Sequence, residues 1–160
     1  MRVRMIAGAA VASALFFVGS ASAEEQNLKY RLVVMDTSVT DLEAPNVPGR
    51  TVGVAKSVGV ATFEDGRIAY KNFIRYYDGT EAAGDFTGYS TFTFENGDSL
   101  TMKFVAKWSD QGFGGDYEVI SGTGAYAGAT GIGHFDGAET QPWEGADLLN
   151  GWFKLEVPGA

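Results

Sequence analysis

Along Leu100, Met102, Phe104, Ala106 and Trp108 every second residue is apolar, with Thr101, Lys103 and Lys107 among the residues between them. That period of two belongs to a strand with one buried face, because successive strand side chains point to opposite sides. The pattern recurs. Leu28, Tyr30, Leu32 and Val34 share a face, with Lys29 and Arg31 opposite. Val52, Val54, Val58 and Val60 share another, opposite Gly53, Ala55, Ser57 and Gly59. Ile68, Tyr70, Ile74 and Tyr76 form a further set. No window holds apolar residues at helical spacing for three turns. Between these runs, Glu64-Asp65-Gly66-Arg67 and Glu95-Asn96-Gly97-Asp98 supply Asp-Gly and Asn-Gly, the strongest short-range hairpin signals.

The spacing predicts strands over 27–36, 51–64, 67–77, 86–95, 99–108, 116–122, 129–137 and 150–157. The segment Val39 to Arg50, with Pro45 and Pro48, reads as a long first connection, and Asp78 to Asp85 and Glu139 to Leu149 as further loops. The fold class is therefore all-β. About eight sequential antiparallel strands joined mostly by hairpins form an up-and-down β-barrel, which removes its own edges by closing. A lipocalin-like barrel is the competing fold. Its early Gly-x-Trp signature is missing, since the tryptophans are Trp108, Trp143 and Trp152.

The N-terminus predicts an address. Arg2 and Arg4 precede an apolar run from Met5 to Val18, and Gly19 to Ala23 ends in a small-x-small pattern before Glu24. This is the form of a secretory signal peptide over 1–23, cleaved after Ala23, with a single barrel domain over 24–160. The apolar run is short of the roughly 20 residues a spanning helix needs, so no stable membrane anchor is expected after cleavage. The expected location is periplasmic or secreted. Cleavage removes two arginines and leaves ten basic residues against twenty acidic ones, a net charge near −10. Nucleic acid and anionic membrane, which need a cationic surface, are not expected partners. The chain has no cysteine, so its core must hold it without disulfides, and thiol chemistry is excluded.

Ser121 to Phe135 reads SGTGAYAGATGIGHF. It lacks G-x-x-x-x-G-K-[ST] and any parallel βαβ context, so a phosphate loop is disfavoured. Glycines there suit a sharp strand crossing at a barrel corner, with Gly122, Thr123, Gly124 and Tyr126 as structural residues. Within it, Glu118-Val119-Ile120-Ser121-Gly122-Thr123-Gly124-Ala125-Tyr126-Ala127-Gly128-Ala129-Thr130-Gly131 resembles the signature of the dirigent and allene oxide cyclase superfamily. It is closely similar to the form carried by secreted bacterial proteins with an allene-oxide-cyclase-like barrel. The resemblance implies an eight-stranded antiparallel barrel with an apolar interior, often trimeric in plant members, in which this motif is mainly architectural. It also implies a possible cyclase, isomerase or stereo-directing activity that needs few protein groups. It carries over no site residue beyond the corner.

Candidate chemistry is sparse. His134 is the only histidine and a weak general-base candidate. Lys56 interrupts the Val52–Val60 face and Asn72 the Ile68–Tyr76 face. If those faces point inward, each polar group needs a partner or a ligand. The alternatives are a place at the rim, or a face packed outward against another subunit. Tyr70, Asn72, Tyr76, Tyr89, Phe92, Phe94, Phe104 and Trp108 would line a cavity suited to a small hydrophobic or aromatic molecule. No metal site and no cofactor is expected, and a homo-oligomer (dimer or trimer) is open. The leading expectation is binding without turnover. An isomerase or cyclase is the alternative, with His134, Asn72 or Lys56 converging on a tyrosine hydroxyl.

Overall fold

The structure, a computed structural model, describes residues 23–137 and 143–159. All of the predicted signal peptide except Ala23 lies outside them. The strands are β1 (Glu24–Glu43), β2 (Thr51–Phe63), β3 (Ile68–Gly79), β4 (Gly84–Phe94), β5 (Ser99–Ser109), β6 (Gly112–Thr123), β7 (Thr130–Gly137) and β8 (Asp147–Val157), with a 3₁₀ turn at Gly124–Tyr126 before β7. Each strand pairs antiparallel with the next, and β8 returns to β1 to close an up-and-down barrel. The strand order matches the sequence expectation. The first connection does not: strand β1 runs on to Glu43, and the turn is confined to 44–50. A register shift between Asp36 and Ser38 explains how β1 continues. The extra residue switches the inward set from even to odd numbers, so Asp36 and then Asp41 both face the interior side.

The inward faces of β1 and β5 are those expected, with Leu28, Tyr30, Leu32, Leu100, Met102 and Phe104 buried. Those of β2 and β3 are inverted. On β2 the interior receives Ala55, Ser57 and Ala61, while Val52, Val54 and Val60 are exposed. On β3 it receives Ala69 and Lys71, while Ile68, Tyr70 and Tyr76 are exposed. Volume explains the inversion better than hydrophobicity. A small barrel fills with side chains, so large residues on some strands require small ones opposite. A Cβ at Gly53 would come within 2.3 Å of the Tyr77 ring, so this strand has to be slim inside. The β-branched valines then serve the outer pleated surface.

Up-and-down topology gathers the hairpins at 64–67 and 95–98 and the 3₁₀ turn at one end of the barrel. Aromatic rings seal this end. Tyr126, 3% exposed, stacks on Phe94 with ring centres 5.0 Å apart, and its hydroxyl bonds the Arg67 guanidinium. That guanidinium also lies 5.9 Å from the Phe63 ring centre and 5.5 Å from that of Phe94. Further in, Tyr30 stacks on Phe153 at 5.0 Å and Phe92 meets Phe153 edge-on at 5.3 Å. The glycine-rich stretch is thus the corner that closes the bottom, and the opposite end is left as the mouth.

Candidate functional site

The mouth holds a cavity of about 260 Å³. Its wall is mainly aromatic: Phe73 and Tyr77 from β3, Phe86 from β4, Phe104 and Trp108 from β5, and Phe113, Tyr117 and Phe135 from β6 and β7. The polar groups in the wall are Lys71, Arg75, Tyr77, Tyr117 and Asp147. Inward positions repeat every second residue, so Lys71, Phe73, Arg75 and Tyr77 form one column up β3. Convergent polar groups in an aromatic wall are the usual form of a small-molecule site, although this cavity is smaller than the roughly 300–1,000 Å³ of typical ligand pockets.

Two cations in this column have unequal support. Arg75 holds Asp36 of β1 through two parallel bonds of 2.7 Å, and donates from Nη1 to Ser57 Oγ at 2.8 Å. Ser57 Oγ in turn donates to Asp36 at 2.6 Å. Burial alone would raise the Asp36 carboxyl, but the bonds from Arg75 and Ser57 outweigh it and hold the group below its ordinary value. Lys71 is 2% exposed, and its Nζ donates to a phenol, Tyr117 Oη, at 2.7 Å. Around it stand the rings of Phe73 at 4.3 Å, Phe92 and Tyr117 at 5.2 Å, and Phe135 at 5.7 Å. Their faces attract a cation but do not replace lost hydration. Burial, aided by the Arg75 charge, therefore pulls the amine down from 10.5 to about 7. Burial also pushes the Tyr117 phenol well up, so it stays protonated. It likewise raises the Asp147 carboxyl at the rim, an effect that Arg75 moderates. Tyr77 is pushed up to about 12 by burial and by the Asp41 carboxylate to which its hydroxyl donates.

The structure separates the residues singled out from sequence. Phe104 and Trp108 line the cavity. Phe92 is fully buried in the packed interior and is not part of the wall, and Phe94 lies at the closed end under Tyr126. Tyr70, Tyr76 and Tyr89 are exposed on the outer face, and Asn72 and Lys56 are exposed there too. His134 is also on the outside: its Nδ1 lies 2.7 Å from Asp116 Oδ1, and its ring is 6.3 Å from Trp152. The convergence of His134, Asn72 and Lys56 on a tyrosine hydroxyl is therefore corrected. They sit on outward positions of three different strands, because β2 and β3 are inverted and Phe135, not His134, turns inward on β7. Sequence reasoning missed Lys71, Arg75, Asp36, Ser57, Tyr117 and Asp147. One signal was present: Asp36 continues the inward period of Leu28 to Val34, and its carboxylate needs an inward cation such as Arg75.

No family model matches the sequence, and no curated protein matches it. Solved structures do. The pterocarpan synthase dirigent protein GePTS1 is 15% identical, with a TM-score of 0.60 over 93% of this chain and 99% of that one. A second pterocarpan synthase dirigent protein, PsPTS1, is 13% identical, with a TM-score of 0.56 over 86% of this chain and 97% of that one. Identities this low show likeness of fold. The chain has the dirigent-like barrel, as the glycine corner implied.

Proposed function

We propose that this protein is an exported barrel that binds one small apolar or aromatic molecule in its mouth cavity. The observation that carries the reading is the make-up of the mouth: rings stacked on one another fill the barrel interior below it, whereas the mouth keeps about 260 Å³ open among aromatic side chains with Lys71 and Arg75 in the wall. Aromatic walls favour a planar ligand through offset and edge contacts. Lys71, Arg75 and Tyr117 would fix its polar end. Among the described residues the cavity wall has no serine, threonine or histidine, so the Ser–His–acid arrangement of a hydrolase is not what this proposal invokes. The dirigent-like fold leaves room for a guiding role, in which the same wall shapes a reactive molecule. Export rests on the basic, apolar and small-x-small order of residues 1–23.

Native mass spectrometry and thermal shift against a panel of phenols, aromatic aldehydes, terpenoids and fatty acids test the reading. One molecule should bind per chain and change Trp108 fluorescence. Val34→Phe, which fills the cavity wall, should weaken binding by at least roughly tenfold. Equal binding by that variant would move the site elsewhere, and no binding across the panel would remove the proposal.

A second reading concerns the outer face and adds to the first. Val54 lies beside Tyr76, Val60 beside Tyr70, and Ile74 beside Tyr89, so apolar pairs extend across β2, β3 and β4, interrupted by the exposed Lys56 and Asn72. Val54, Val60, Tyr70, Tyr76 and Tyr89 are each at least 37% exposed. A sheet face this rich in exposed apolar side chains suits a second copy of the same chain. Sedimentation at micromolar concentration should show an oligomer, which Tyr70→Glu with Tyr89→Glu converts to monomer. A monomeric wild type would end this reading.

A further inference from the structure

We infer that Lys71 is a carbonyl-capturing amine, whose Nζ condenses with a small aromatic aldehyde or ketone seated in the mouth cavity. The inference rests on the proposed cavity binding and names the class of molecule bound.

Four observations converge on it. Lys71 is a wall residue of the cavity, and its Nζ lies 4.3 to 6.0 Å from the ring centres of Phe73, Tyr117, Phe135 and Phe104, which line the same cavity. The amine has a phenol as its hydrogen-bond partner, whereas the neighbouring Arg75 takes the inward carboxylate Asp36 through both of its oxygens. A lysine kept for structural charge pairing would be expected to hold such a carboxylate. Aromatic rings enclose it on several sides, a setting that favours the neutral amine, and an amine desolvated this way is the activated nucleophile of imine chemistry. With its amine near 7, roughly half of Lys71 is neutral at pH 7, against a few in ten thousand for an exposed lysine.

The step balances with the groups present. The Nζ lone pair attacks the carbonyl carbon as the C=O π pair moves to oxygen. Tyr117 Oη, 2.7 Å from Nζ, donates a proton to that oxygen and recovers one from the nitrogen. The carbinolamine then loses its hydroxyl and its remaining N–H proton together as water, while the nitrogen lone pair forms the C=N bond, a reversible change without oxidant or reductant. Phe73, Phe86 and Phe104 supply the faces for the arene that carries the carbonyl.

The test treats the purified protein at pH 7 with cinnamaldehyde and cyanoborohydride, which reduces an imine to a stable secondary amine. Intact mass and peptide mapping then locate the adduct. One adduct at Lys71 is expected, forming at least roughly tenfold faster than at exposed Lys56 or Lys103. Lys71→Met should lose it, and Tyr117→Phe should slow it while still binding the arene. Adducts spread over exposed lysines with Lys71 unmodified would overturn the inference. Cinnamyl alcohol, which cannot condense, runs in parallel by thermal shift. Alcohol binding without aldehyde trapping would sink the imine and leave the binding proposal standing; neither binding nor trapping would sink both.

Discussion

Lys71→Met is expected to raise the stability of the barrel at pH 7, by about 2–3 kcal/mol and several degrees in melting temperature. The amine lies at about 7 in the fold and near 10.5 when unfolded. Holding that proton inside therefore costs up to ~5 kcal/mol at low pH, where both states carry it. Methionine has a similar shape and no charge to desolvate. The exchange removes the bond to the Tyr117 hydroxyl, which returns roughly 1–3 kcal/mol of the gain. The sign with pH is also fixed. Between about 7 and 10.5 the unfolded chain binds the proton and the folded one does not, so wild-type stability climbs with pH. Lys71→Met should lack that climb. Tyr30 and Tyr117, whose phenols are raised by burial, oppose it only above about pH 10. Urea unfolding of both proteins at pH 6, 7, 8 and 9 reads both effects. A less stable variant, or parallel pH slopes, would show that Lys71 is held as a satisfied structural charge. A more stable variant that traps no aldehyde would mark Lys71 as a residue kept at a cost in stability, a pattern typical of functional sites.

Particular residues show how much of this was legible. The eight strands were, because alternation and Asp-Gly or Asn-Gly turns are local properties of the chain. At the corner the turn itself is local, a 3₁₀ turn at Gly124–Tyr126 with Gly124 at positive φ, whereas Phe94 and Arg67, which hold Tyr126, come from other strands. Which face of β2 and β3 points inward was not legible. Val52, Val54, Val58 and Val60 look like a core from hydrophobicity, yet Gly53, Ala55, Ser57 and Gly59 enter, with Tyr77 filling the space beside Gly53 and Leu32 to Val34 that beside Gly59. That is a property of the closed barrel and depends on strands far apart in sequence. The same dependence hid the site. Nothing local marks Lys71 and Arg75 as inward, because their partners, Tyr117 and Asp36, are 46 and 39 residues away.

The corner gives the other large expectation: Gly122→Ala should destabilise by about 3 kcal/mol, and more than Gly124→Ala. A Cβ at Gly122 would lie 2.2 Å from the Tyr126 carbonyl oxygen and 2.9 Å from its carbonyl carbon. Those are backbone atoms of the 3₁₀ turn, tied in place because the same oxygen accepts from Ala129 N at 3.0 Å while the Tyr126 ring is stacked on Phe94. Relief would have to come from moving the turn, and overpacking of that kind costs typically 1–3 kcal/mol, occasionally more. Gly124 has φ +58°, which disfavours a side chain by roughly 1–2 kcal/mol. Its Cβ would strike the Asp98 carboxylate at 1.6 Å, but that group is the end of a side chain on a hairpin and can swing aside. Thermal unfolding should therefore place Gly122→Ala about 10 °C below wild type, with Gly124→Ala between them. The reverse order would mean that left-handed backbone, not close approach, is what the corner demands. Because the corner seals the end opposite the cavity, folded protein of either variant should keep its affinity at the mouth. A loss of ligand or anion binding without a loss of stability would return this stretch to the functional site.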